Sequence, residues 1–102
     1  MTTVEAIKAC AACDSGVSRD RVTVEVRGSA FMWFVVVEEH SDIAVLGSTY
    51  TYLVETEEEA LAQCLKDHKD RLRRIVEETA ENVARAARLG IQAQSVLDEV
   101  KP

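Results

Sequence analysis

The chain has 102 residues, of which 47% are hydrophobic and 29% are charged. That length suits one domain, residues 1–102, and the apolar fraction argues against wholesale disorder. A formal net charge of −6 argues against non-specific binding to nucleic acid or to an anionic membrane surface.

The first predicted element is a short helix near the amino terminus. Thr2-x-x-Glu5 has the form of a capping box, which marks a helix start. Ile7 and Ala11 then recur at helical spacing, and Gly16 can take the left-handed conformation that ends a helix. We expect this helix to pack on a sheet.

Two strands joined by a tight turn are predicted next. Valine alternates with polar residues from Val22 to Arg27, which indicates a strand with one solvated face. Gly28-Ser29 is the predicted two-residue hairpin turn. The segment Ala30 to Glu39 should be the central strand because it is apolar on both faces. One face carries Phe31, Trp33, Val35 and Val37, and the other carries Met32, Phe34 and Val36.

A third strand is predicted after a turn at His40-Ser41-Asp42. Residues 43–55 have strand character that is interrupted at Gly47. This glycine predicts either a bulge within one strand or a turn between two, and we favour one bulged strand. The expected sheet is antiparallel with three or four strands.

A long helix is predicted to follow. Thr56-x-x-Glu59 is a second capping box, and apolar residues continue at helical spacing to Gly90, which we expect to end or kink the helix before a short last segment. Opposite charges four residues apart, such as Asp67 and Arg71, support this helix. The predicted class is therefore α+β, in the order α-β-β-β(-β)-α(-α).

The length of this helix suggests an interface. From Glu57 to Leu89 it would span about 50 Å, whereas a strand of eight or nine residues covers about 30 Å. The stripe beyond Glu78 consists of small residues that suit close helix packing. We expect Val83 and Ala86 to pack either on the first helix or on a second copy of the chain.

A second predicted interface is the sheet face that the helices leave open. Depending on which face is covered, this surface consists of Met32, Phe34 and Val36 with Leu53, or of the line from Phe31 to Val37. Exposed apolar patches of this kind usually mark interfaces. The alternative is that the last short helix folds over the patch.

Three cysteines and one histidine are candidate zinc ligands. Cys10-x-x-Cys13 together with Cys64-x-x-x-His68 would complete a tetrahedral set. However, Cys10 and Cys13 lie within a predicted helix, and cysteine also packs as a small apolar residue. We expect reduced cysteines in the core and neither a metal nor another cofactor, with a zinc-stapled domain as an alternative.

No pattern predicts catalysis. His40 lies in the polar run Glu38 to Asp42, which is typical of a solvated turn, and no nucleophile accompanies it. The four glycines form no phosphate-binding loop. We therefore expect a protein that is not an enzyme.

The order helix–strand–strand–strand–helix resembles that of double-stranded-RNA-binding domains. The resemblance implies topology alone, because those domains carry lysines at the start of the last helix. This chain has four carboxylates there. They either interact favourably with the helix dipole or form an acidic surface for a basic partner. No nucleic-acid partner is therefore expected. The four residues are Glu55, Glu57, Glu58 and Glu59.

These observations predict a self-associating protein-interaction domain that binds or inhibits an unidentified protein partner. It is similar in type, without a shared motif, to small acidic inhibitors of phages and mobile elements such as anti-CRISPR proteins. The alternatives are the zinc-stapled domain and a ligand-binding oligomer with a pocket between subunits, where Tyr50, Trp33 or His40 meets basic side chains. A cytoplasmic location without a membrane partner is expected, because neither a signal peptide nor an apolar run of ~20 residues is visible.

Overall fold

The computed structural model describes residues 1–100 and has one helix, three strands and a second helix. A single 3-10 turn, Arg19–Arg21, precedes the first strand. The predicted α+β class is confirmed. The elements are α1 Thr3–Ser15, β1 Val22–Ser29, β2 Met32–His40, β3 Val45–Tyr52 and α2 Glu57–Glu99.

The chain divides into two compact units. The first unit, Met1–Leu72, contains α1, the sheet and the start of α2. The second unit begins at Arg73 and is helical as far as Glu99. Every residue described in the second unit, through Val100, is exposed.

Both predicted helix starts are capped by threonine. The Glu5 N–H donates to Thr2 Oγ1 at 3.1 Å, and the Glu59 N–H donates to Thr56 Oγ1 at 3.1 Å. The Glu59 carboxylate accepts from the Glu55 N–H, one residue before the cap, at 3.1 Å. Each cap satisfies an otherwise unpaired donor and contributes about 1 kcal/mol. At the other end of α1, the predicted left-handed conformation of Gly16 is confirmed by its φ of 71°.

The sheet is antiparallel in the order β1-β2-β3, so the predicted central strand is central. The predicted turn at Gly28-Ser29 is wrong, because Ser29 pairs with Met32 and the turn residues are Ala30 and Phe31. Gly28 has a φ of 145°, and a Cβ there would lie 2.2 Å from the Met32 carbonyl oxygen. This glycine therefore serves the close approach of two strands and not the turn itself.

The third strand is shorter than predicted and contains no bulge. Gly47 pairs with Glu38 in an unbroken register, and Ile43 lies outside the sheet with 96% of its surface exposed. A connection of four residues replaces the predicted turn at His40-Ser41-Asp42, because His40 is the last residue of β2. In that connection the Ser41 N–H donates to the Ala44 carbonyl at 2.9 Å.

The second helix does not end at Gly90, contrary to the prediction. It continues to Glu99, and the φ of Gly90 is not in the left-handed region. A glycine inside a helix costs only about 1 kcal/mol relative to alanine, and no proline follows before Pro102. Within residues 1–100, neither helix has the length and apolar character needed to cross a membrane.

The core lies between one sheet face and the helices of the first unit. The sheet contributes buried valines, α1 contributes three buried residues, and the start of α2 contributes two more. The covered face is therefore the one that carries Trp33, Val35 and Val37. The fully packed residues are Ile7, Ala11, Ala12, Val22, Val35, Val37, Ala60 and Cys64.

Candidate interaction surfaces

The open face of the sheet carries four of the predicted interface residues. Phe34 and Val36 alternate with the buried Val35 and Val37 along β2, so their side chains point away from the helices. Both are half-buried by their sheet neighbours, whereas Met32 is 43% exposed. Leu53, which follows β3, is 77% exposed. Of the two predicted alternatives, the structure thus leaves open the line of Met32, Phe34, Val36 and Leu53, called here the open face.

Polar side chains border the open face on both sides. On β1, Arg27 lies opposite Phe34 and Glu25 lies opposite Val36. The Arg27 Nη2 donates to both carboxylate oxygens of Glu25 at 2.9 Å. On the β3 side the register places exposed threonines, Thr51 and Thr49, beside the same two residues. The open face is therefore a narrow apolar strip between a charged pair and two hydroxyls.

A longer apolar surface lies on the second unit. Together with the small residues between them, its large side chains recur three and four residues apart, so they share one side of the helix. Between 39% and 70% of each side chain is exposed: Ile75, Val76, Val83, Leu89, Val96, Leu97 and Val100. The small residues Thr79, Ala86 and Ala93 run along the middle of this side. We call this surface, made of these ten residues, the heptad face.

Sequence reasoning found only part of the heptad face. It selected Val83 and Ala86, both of which are exposed. It missed Ala93, Val96, Leu97 and Val100 because the helix was expected to end or kink at Gly90, and it did not select Leu89, which lies before that glycine. The spacing of three and four residues, extended through that glycine, would have identified them.

The predicted acidic surface surrounds the first turn of α2. Glu55, Glu57, Glu58 and Glu59 are all exposed, and three of them lie in the first turn, where negative charge stabilises the helix dipole. A shallow, open depression beside this turn is lined by Thr56, Glu57, Glu58 and Leu61.

The structure brings together two of the four candidate zinc ligands. Cys64 Sγ lies 3.6 Å from His68 Nδ1. The His68 Nδ1–H donates to the Cys64 carbonyl at 2.9 Å, because a carbonyl can only accept. Within residues 1–100, no three His, Cys, Asp or Glu side chains are placed to hold a metal ion. The expectation that all three cysteines are core residues is wrong for Cys13, which is exposed near the end of α1.

Burial makes Cys64 a poor nucleophile. Burial raises the pKa of the Cys64 thiol from 9.0 to about 11, so the thiol is protonated at neutral pH. Burial also raises the pKa of Tyr52, whose hydroxyl donates to Asp67 Oδ2 at 2.7 Å. The predicted pair of Asp67 with Arg71 is replaced, since Arg71 Nη1 donates to Asp14 Oδ2 at 3.2 Å. These contacts fasten the start of α2 to β3 and to α1.

The aromatic and histidine side chains proposed for a ligand pocket are separated. Trp33 and Tyr50 pack against the core on the covered face, where the rings of Tyr50 and His68 meet edge to face at 5.2 Å. His40 ends β2, and its Nε2 lies 3.5 Å from Glu38 Oε2. None of the three predicted residues lines the depression beside the first turn of α2.

Comparisons of the chain with protein-family models, with curated proteins and with solved structures find no match.

Proposed function

We propose that this protein is a non-enzymatic protein-interaction domain that self-associates through the heptad face of α2. The observation that carries the proposal is the row of seven large aliphatic side chains, each between 39% and 70% exposed, on the second unit. Apolar patches of this extent on a monomer mark interaction sites. An amphipathic helix with no cover on its apolar side gains most of its stability by packing against another surface.

The energetics support a second copy as the occupant. Each aliphatic side chain gains about 1 kcal/mol on packing, because its own helix already covers roughly half of it. The seven side chains of each copy together contribute about 14 kcal/mol, against an association cost of about 4–15 kcal/mol. A surplus of about 8 kcal/mol, within that range, corresponds to a micromolar dissociation constant. The small residues along the middle of the face favour a close approach of two helices.

In this proposal a different protein binds the open face and the acidic first turn of α2. A narrow strip around Phe34 between polar borders suits a modest, reversible contact with a protein partner. The exposed carboxylates, such as Glu57 and Glu58, suit a basic surface on that partner. The protein would thus act by covering a partner, in the manner of small acidic phage or mobile-element inhibitors. The proposed setting is the cytoplasm, where the three free cysteines remain reduced.

Three variants compared with the native chain by sedimentation velocity test the proposal. We expect Val83→Asp to raise the dissociation constant of self-association at least 100-fold, because it introduces a charge into the heptad face. Ile91→Asp is the control, since Ile91 is 71% exposed and lies about 140° around the helix from Ala86 in the middle of the heptad face. Its replacement should change the constant less than threefold. Phe34→Asp should leave self-association intact. If Phe34→Asp dissociates the protein and Val83→Asp does not, the sheet forms the interface and this proposal is wrong.

A further inference from the structure

We infer that the outer edge of β3 pairs antiparallel with the same edge of a second copy, so that two three-stranded sheets join into one. This contact lies outside the proposed function and does not depend on it, because it involves β3 and not the heptad face. Three features carry it: the unpaired backbone groups of β3, the absence of charge around them, and the symmetric arrangement of the exposed apolar residues.

The outer edge of β3 has backbone groups without partners. β3 is the last strand in the order β1-β2-β3, and the hydrogen bond from the Ser41 N–H to the Ala44 carbonyl continues its register with β2. Because hydrogen-bonded pairs alternate along an antiparallel ladder, every second residue of β3 directs its N–H and C=O away from β2. Within residues 1–100, these groups form no backbone hydrogen bond outside the sheet. The four residues, all exposed, are Val45, Gly47, Thr49 and Thr51.

The edge of β3 has none of the features that usually protect an edge strand. Such strands commonly avoid pairing with another chain by carrying charged residues, proline or a bulge. The opposite edge strand, β1, carries Glu25 and Arg27 and packs beside α1. In contrast, residues 43–54 contain neither a charged residue nor a proline, and the register of β3 is unbroken. Although the chain has a net charge of −6, two copies of β3 can therefore pair without placing like charges opposite each other.

The exposed apolar residues around β3 are arranged symmetrically about Ser48. Four of them are between 57% and 96% exposed: Ile43, Val45, Leu46 and Leu53. Antiparallel pairing centred on Ser48 gives each of them an apolar, aromatic or β-branched neighbour on the second copy, which is the kind of cross-strand pair that stabilises a sheet. The neighbours are Ile43 with Leu53, Val45 with Thr51, and Leu46 with Tyr50.

The same register uses the free backbone groups most fully. It sets Val45 opposite Thr51 and, one pair further along, Gly47 opposite Thr49. All four outward residues of each copy then exchange hydrogen bonds with the other copy. Other registers leave at least one of them without a partner inside β3.

A slip of the register breaks the apolar neighbours apart. The smallest slip that keeps outward groups facing each other moves one strand by two residues. In one direction it places Ile43 beside Glu55, and in the other it places Leu53 beside Ser41. The register centred on Ser48 is therefore the one that the exposed side chains favour.

Edge pairing is weaker than pairing through the heptad face. It buries only two strands and the side chains beside them, which places it among small, transient interfaces. We expect a dissociation constant of about 1 mM, against a micromolar value for the heptad face. A twofold axis perpendicular to the sheet relates the two copies, so their open faces lie on the same side of the joined sheet.

Cysteine cross-linking in the full-length chain tests the inference. In a background of Cys10→Ala, Cys13→Ser and Val83→Asp, one variant carries Ser48→Cys and the control carries Thr51→Cys. Residue 48 faces its own copy in a pair without hydrogen bonds, about 4.5 Å apart at Cα, which suits a disulfide. The two copies of residue 51 lie about 20 Å apart. At about 0.2 mM, below the expected dissociation constant, mild oxidation should link Ser48→Cys at least ten times faster than Thr51→Cys.

A proline separates strand pairing from other contacts near Ser48. Thr49→Pro removes an outward N–H that β2 does not use, so each copy keeps its own sheet. Added to Ser48→Cys, it should slow cross-linking at least tenfold. Far-UV circular dichroism checks that the variant folds, and Thr49→Lys, which places a charge on the edge, replaces it if it does not.

Two outcomes would overturn the inference. Equal rates for Ser48→Cys and Thr51→Cys would do so: fast rates would indicate a parallel pair, and slow rates would leave the edge to a strand of another protein. A Ser48→Cys rate that the folded Thr49 variant does not change would exclude pairing through the backbone. Because Val83→Asp is present throughout, none of these outcomes bears on self-association through the heptad face, which has its own test.

Discussion

Two adjacent valines of β2 provide a matched test of which sheet face the helices cover. Val35 is fully buried against α1 and α2, whereas its neighbour Val36 is half-buried on the open face. We predict that Val35→Ala destabilises the protein by about 2–3 kcal/mol and Val36→Ala by less than about 1 kcal/mol.

The magnitude follows from the environment of each side chain. Both substitutions remove two methyl groups from the same central strand, so the loss of strand propensity is the same for both. At Val35 the two buried groups cost about 0.8 kcal/mol each in lost transfer free energy. The cavity adds about 1 kcal/mol because the neighbouring valines of a close-packed core relax only in part. At Val36 a smaller area is lost, and water fills the space.

Urea unfolding at one protein concentration measures the difference. The concentration must be fixed because self-association couples stability to it. The midpoint should fall clearly for Val35→Ala with an unchanged slope, and only slightly for Val36→Ala. Equal losses for the two variants, or a larger loss for Val36→Ala, would refute the assignment of the covered face.

Three further predictions concern the first unit. Gly28→Ala should cost at least 2 kcal/mol, because its Cβ would meet the Met32 carbonyl at 2.2 Å. Gly47→Ala is the control and should be nearly neutral. Similar losses for the two variants in thermal melts would contradict the account of the hairpin. Thr56→Ala should cost about 1 kcal/mol in urea unfolding through loss of the Glu59 cap, and an unchanged midpoint would argue against that cap. The pKa of Cys64 is about 11 in the folded protein, against an ordinary value of 9.0. The buried, protonated thiol therefore contributes to stability below pH 9, and this contribution is lost as the pH rises towards 11. Cys64→Ala should flatten that fall in the free energy of unfolding, and an unaltered pH profile would contradict burial of the thiol.

Features set by local chemistry were predictable from the sequence. The threonine caps of both helices and the left-handed Gly16 each depend on residues within one turn, and the alternation along β1 and β2 is a local pattern. The hairpin turn was misplaced because Gly28 resembles a turn glycine in sequence. Gly28 is required because β1 and β2 approach closely at this position. No local sequence pattern reveals that contact.

Features set by contacts between elements were not predictable. Alternation shows that Val35 and Val36 face opposite ways, but the choice of covered face depends on where the helices pack. Tyr52 and Arg71 find partners on other elements, Asp67 on α2 and Asp14 on α1 respectively. Spacing along one helix cannot predict such pairs.

The candidate surfaces were predicted to a similar extent. Met32, Phe34 and Val36 of the open face follow from β2 alternation once the covered face is known, and Leu53 follows from the alternation of β3. Val83 and Ala86 follow from helical spacing. The part of the heptad face beyond Gly90 was not predicted, because the intrinsic cost of a glycine in a helix was weighed more heavily than the good helix formers on either side of it.

The molar mass of the native chain in solution tests the central claim most directly. Light scattering from about 1 µM to 100 µM spans the expected micromolar dissociation constant. At about 1 µM the weight-average mass should already lie clearly above 11.3 kDa, and it should rise with concentration towards twice that value. A folded protein that stays at 11.3 kDa across the whole range would contradict self-association through the heptad face.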